Sequence, residues 1–260
     1  MKQFSAKIIY ILFSFLLITS CKKDANSEIE ADLKAENRKS LGTSAEDILS
    51  SDSYSKLTVE FVYFGFYRPT EATLSNFRNF LTERLNKPGG INFIETEISE
   101  PTGAPFDISE IKSIEESNRT TYTDENQLSV YVFFSNGVST NDSNTSVTLG
   151  TAYLNTSIVI YEKTIRDLVN SNPGIDLTEL ETATLEHEFG HILGLINLVN
   201  DDIHADHEDL AHPKHCIVKD CLMYFESDTK SNIIEYFSGR QRIPELDALC
   251  LADLKAKGGK

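Results

Sequence analysis

Basic residues are scarce in this chain: 24 Lys and Arg stand against 40 Asp and Glu, a formal net charge of −16 at pH 7. A domain so charged repels nucleic acid and anionic lipid, so neither is expected as an electrostatic partner. Long apolar runs are missing too. The stretch from Ile8 to Ile18 is too short to span a bilayer, but behind Lys2 and Lys7 it has the length of a secretory signal, which sets residues 1–20 apart from the fold. No internal repeat is visible, which excludes solenoids and propellers. Cysteine is sparse: of four in the chain, Cys216, Cys221 and Cys250 fall in the folded part, too few by themselves to supply an obvious structural zinc site. The length allows one domain of about 200 residues with a real core.

Histidine is absent except between His187 and His215, where all six are gathered. The first two stand in His187-Glu188-Phe189-Gly190-His191, an H-E-x-x-H motif. On a helix, residues i and i+4 share a face, so two imidazoles can grip one metal ion while Glu188 reaches a water beside it. Thr178 and Glu181 have the spacing of a capping box that would start this helix. Leu185, Phe189, Ile192 and Ile196 form one apolar stripe, and His187 and His191 project from roughly the opposite side with Leu180, Thr184 and Gly194. The pattern describes a buried helix with a polar notch rather than a solvated surface helix.

The signal run ends in Ile18-Thr19-Ser20-Cys21, which resembles a bacterial lipobox and makes Cys21 the expected lipid anchor. The polar stretch 21–55 reads as a disordered tether. Residues 56–260 form the expected catalytic domain, divided into 56–194 and 195–260.

Leu57–Tyr67 reads as a strand, Pro69–Asn86 as a helix and Ile91–Ile98 as a second strand. A short helix over Ile108–Ser117 follows, then strands at Leu128–Phe134, Thr148–Leu154 and Ser157–Tyr161, and a helix over Glu162–Asn170 before the motif helix. This order gives an α/β (α+β) fold, a mixed five-stranded sheet with the motif helix beneath it and a small irregular C-terminal part. The arrangement, together with the H-E-x-x-H-x-x-G run from His187 to Gly194, resembles the metzincin zinc metallopeptidases. In that family the third ligand usually comes three residues after the glycine, where this chain has Asn197.

Downstream, His215-Cys216-Ile217-Val218-Lys219-Asp220-Cys221-Leu222-Met223 has the form H-C-x4-C-x-M, which resembles the segment from third ligand to Met-turn in archaemetzincins. The resemblance implies His187, His191 and His215 as ligands of one catalytic Zn2+, Met223 beneath the metal, and an inserted loop from Asn197 to Lys214. His207 is the alternative third ligand, with His204 and His212 further candidates. The archaemetzincin C-x-x-C is absent, so that family's second, cysteine-bound zinc is not expected. Cys216 and Cys221 are expected as a disulfide, with Cys250 left as a buried thiol.

These readings converge on a zinc endopeptidase, lipid-anchored at a bacterial envelope, and the metzincin resemblance implies that its peptide substrate adds along the edge of the fourth strand, near Leu149 to Asn155. Glu188 is its expected general base. A binding lipoprotein that keeps the metal without turnover, and a zinc amidase acting on cell-wall peptides, are the rival readings.

Overall fold

A computed structural model describes residues 34–224, 229–240 and 242–260. The signal run, Cys21 and the first part of the expected tether lie outside them. Five strands form one sheet: β1 (Lys56–Tyr63), β2 (Ile91–Glu97), β3 (Gln127–Phe134), β4 (Gly150–Leu154) and β5 (Ser157–Ile160). Their spatial order is β2-β1-β3-β5-β4; all neighbours are parallel except β4, which pairs antiparallel with β5 and forms an edge. This is the mixed α/β sheet expected from the sequence.

β1 and β3 are covered on both faces, so their side chains read as nearly continuous apolar runs rather than as an alternation. Glu60 breaks the run in β1 and is fully buried. Its carboxylate is accommodated because the backbone N–H groups and hydroxyls of Thr120 and Thr121 all donate to it.

Seven helices are described: α1 (Ala45–Leu49), α2 (Glu71–Arg84), α3 (Ile108–Asn118), α4 (Glu162–Ser171), α5 (Leu177–Ile192), α6 (Lys230–Phe237) and α7 (Ala248–Ala256). α5 is the motif helix, packed against α2 on one side and β4 and β5 on another. Phe189 meets Phe77 of α2 edge-to-face, 5.2 Å between ring centroids, and both rings are fully buried. Burial of each such ring contributes roughly 1.5–3 kcal/mol. The helix starts one turn-fragment earlier than a Thr178 cap would allow. Asp176 is the N-cap, its side chain accepting from Glu179 N at 3.0 Å, while Glu181 is buried and accepts instead from Thr70 N at 2.9 Å.

The tether expectation fails for residues 34–55. Ala45, Ile48 and Leu49 of α1 sit in the main core. Asn37 is buried, its amide donating to Thr123 Oγ1, Ser129 O and Thr156 Oγ1 and its Oδ1 accepting from Thr123 N. A polar composition conceals this because the anchoring is done by a few apolar side chains and one fully satisfied amide. The segment also crosses the end of β4: Lys39 O accepts from Asn155 N, and Asn155 Nδ2 donates to Glu36 O and Ser44 Oγ.

Candidate metal centre

α5 ends at Ile192 and the chain turns at Gly194, where φ is +71°. Asn197 does not join the histidines; it lies in the left-handed region with its N–H donated to Asp202. The third histidine arrives from far downstream. The rings of His187, His191 and His215 form a triangle with centroid separations of 4.9, 5.3 and 5.3 Å. Three imidazoles on one tetrahedral zinc at about 2.0–2.1 Å would hold their centroids roughly 5 Å apart, so the donor set fits that ion. Nδ1–H of His187 donates to Leu222 O at 2.8 Å and Nδ1–H of His215 to Pro213 O at 3.2 Å, which leaves Nε2 of each ring for a metal.

Burial, reinforced by the neighbouring His215, pulls His187 down to about 4, and burial pulls His191 well below the ordinary imidazole range. Both are therefore neutral at physiological pH, the form that ligates metals. Glu188 accepts from Ala152 N of the edge strand at 2.8 Å. Burial pushes its carboxyl up to about 7 against the lowering effect of that hydrogen bond. A Cβ at Gly150 would lie 2.6 Å from Glu188 Cγ, so the bare backbone there makes room for the glutamate. Met223 is fully buried under α5, its sulfur so near the helix that a Cβ at position 190 would collide with Sδ.

The triangle faces a cavity of about 360 Å³ with an apolar wall of Leu41, Val147, Leu149, Ile233 and Phe237. Gly150, Ala152 and this wall were not singled out from the sequence. Only the position of Thr148–Leu154 as a sheet edge pointed toward them.

The other histidines lie elsewhere. His207, the alternative ligand, is buried with Nε2 3.0 Å from Asp253 Oδ2 and Nδ1 3.4 Å from Cys216 Sγ. His204 Nδ1 is 3.1 Å from Asp253 Oδ1, and His212 pairs at the surface with Asp209 at 2.7 Å.

The expected Cys216–Cys221 disulfide is not formed. Cys216, Cys221 and Cys250 are all free and buried. Cys221 Sγ instead lies 3.7 Å from Cys250 Sγ, far beyond the roughly 2.05 Å of an S–S bond. Backbone N–H groups of Met223 and Asp247 donate to Cys221 Sγ and aim it at Cys250. Side-chain hydrogen bonds from Cys216 and Cys250 pull the Cys221 thiol well below its ordinary range.

No family model matches the chain, and no curated protein matches it in sequence. Among solved structures, the fold is similar to that of archaemetzincin from Methanopyrus kandleri, with a TM-score of 0.50 at 15% identity, covering 78% of this chain and 96% of that one.

Proposed function

We propose that this protein is a zinc-dependent endopeptidase, with His187, His191 and His215 as the metal ligands and Glu188 as the general base. The observation that carries this reading is the convergence of three imidazoles and one carboxylate on a cavity beside an open sheet edge. The archaemetzincin-like fold supports it.

A zinc ion in such a site lowers the pKa of a bound water and polarises a carbonyl. The protein's own part follows from the residues around it. The outer edge of β4 binds an extended peptide as an added antiparallel strand, so main-chain hydrogen bonds align the substrate whatever its side chains. The apolar wall takes a side chain next to the scissile bond and excludes water around it. Glu188, fixed by Ala152 N–H, takes a proton from water in the cleft and passes it to the departing amine. Met223 supports the floor of the site from below.

Cys21, outside the described residues, would carry the lipid that holds the domain at a bacterial envelope.

The test is Glu188→Ala, read by metal analysis and by cleavage of a peptide library. The variant should keep the zinc of the histidine site and lose cleavage by about three or more orders of magnitude. Equal cleavage by variant and wild type would defeat the mechanism, and absence of cleavage in the wild type would favour the binding lipoprotein.

A further inference from the structure

We infer that residues 39–42 wall off one end of the cleft, so that only bonds close to the N-terminal end of a peptide are cut. This rests on the peptidase reading and narrows it, since a cleft open at both ends would take a bond anywhere in an extended chain.

β4 and α5 form the two long sides of the cleft and advance along it together. Gly150 lies against Thr184 and Glu188, and Ala152 N donates to Glu188. Past Ala152 and His191 the two sides are bridged by the segment that precedes α1. On the strand side, Lys39 O accepts from Asn155 N at 3.1 Å, and Asn155 Nδ2 donates to Glu36 O and Ser44 Oγ, each at 2.8 Å. On the helix side, Gly42 packs into the turn that ends α5. A Cβ there would stand 3.3 Å from Leu198 Cβ and 3.5 Å from Gly194 Cα, and one at Gly194 would stand 3.1 Å from Ala45 Cβ. Between these two anchorages Leu41 lines the cavity that His187, His191 and His215 also line.

The bridge is fixed at both flanks. Asn37 is 1% exposed with its amide fully paired, and Ala45, Ile48 and Leu49 sit in the main core. Ser40 O accepts from Thr43 N and Thr43 Oγ1, which closes the turn that carries Leu41. So short a stretch between two buried anchors has no slack to swing aside.

A peptide added antiparallel to β4 points its N-terminal end toward Asn155 and its C-terminal end toward Val147. The scissile carbonyl has to lie beside Glu188, opposite Gly150 and Ala152. From Ala152 to Asn155 the strand covers about 10 Å at about 3.4 Å per residue, which leaves room for about three substrate residues before the wall. The wall sets no limit on the part of the peptide that leaves past Val147. The substrate class is then a peptide with an unfolded N-terminal end, from which short fragments are released.

The experiment uses the full chain loaded with zinc and a ladder of peptides. All carry Leu directly after the intended bond and the same C-terminal part, and they differ in having from one to about eight residues before it. In wild type, kcat/KM should hold up to about three such residues and fall by about tenfold or more beyond them. Glu188→Ala, read by fluorescence anisotropy with C-terminally labelled peptides, should show the same break in affinity. Leu41→Ala and Asn155→Ala should each shrink the ratio between short and long peptides. Equal kcat/KM along the whole ladder would overturn the inference and leave the peptidase reading intact. No cleavage by wild type, together with a break in affinity at about three residues, would defeat the peptidase reading and uphold the wall. Uniform affinity along the ladder, or none for any member, would overturn the wall. The wild-type and Glu188→Ala ladders decide it even if Leu41→Ala or Asn155→Ala does not fold.

Discussion

His215 and Cys216 are joined by one peptide bond and face two different clusters. On one side, three imidazoles surround a cavity of about 360 Å³ with an acid at its rim. On the other, three thiols and His207 are sealed under α7, with Asp253 behind the imidazole. The difference lies in the number of donors and in access. Three donors beside a void leave a position for water and substrate, whereas the residues of the second cluster are at most 2% exposed. Sequence spacing blurs the two, because the same nine-residue segment feeds both.

The deepest break in this comparison is His215→Ala. It should abolish peptide cleavage and weaken zinc at the open site by more than the roughly 10–100-fold typical of an outer hydrogen-bond partner, as measured by chelator competition. His207→Ala should leave the open site's zinc in place, so metal loss from the open site in His207→Ala with retention in His215→Ala would invert the assignment.

Gly150→Ala comes next. The new Cβ would collide with Glu188 Cγ at 2.6 Å and displace the carboxylate from Ala152 N–H. Turnover should fall about 10–100-fold with zinc content unchanged, since misplacement by an ångström costs on that order; unaltered kcat would show that Glu188 needs no such fit.

A smaller effect separates two acids on α5. Glu188 faces the cavity, whereas Glu186 is buried, and burial pushes its carboxyl up to about 8. Between the unfolded carboxyl range near 4.5 and this value, the native state keeps a proton that the unfolded state gives up. Stability therefore falls as pH rises through that window, by an amount on the order of a few kcal/mol. Glu186→Gln should flatten the dependence in denaturant melts from pH 5 to 8 while cleavage stays within about threefold. An unchanged slope would assign the pH dependence to other groups. The smallest expected change is in His212→Ala, which removes an exposed pair with Asp209. It should leave metal content and stability unchanged, and a lost zinc would place this histidine in a site after all.

Much of the site was legible in the sequence because helical spacing fixes where His187, Glu188 and His191 stand relative to one another. The succession of strands along the chain followed from apolar runs bounded by turns, whereas the edge position of β4 was legible only through the metzincin resemblance. His215 was legible only through a resemblance, since nothing local says where a loop of that length returns. The cysteines were misread for a related reason. Cys216 and Cys221 are near in sequence, but Cys221 is turned toward Cys250, 29 residues further on, by N–H groups whose positions depend on the tertiary fold. The cap of α5 was placed two residues late because Asp176 and Thr178 are both good N-cap residues, and the buried demand of Thr70 N for Glu181 decides between them.

The packing of residues 34–49 onto the domain also shortens the leash. With a lipid on Cys21, only residues 22–33, twelve in all, separate the anchor from Lys34, where the described chain begins. At no more than about 3.5 Å per residue, that stretch reaches at most about 40 Å however it is arranged. Because the packed segment continues across the end of β4, with Leu41 in the cavity wall, a lipid on Cys21 would hold the cleft within that reach plus the span from Lys34 to Leu41. An enzyme so anchored would have to find its substrates at the surface that holds the lipid.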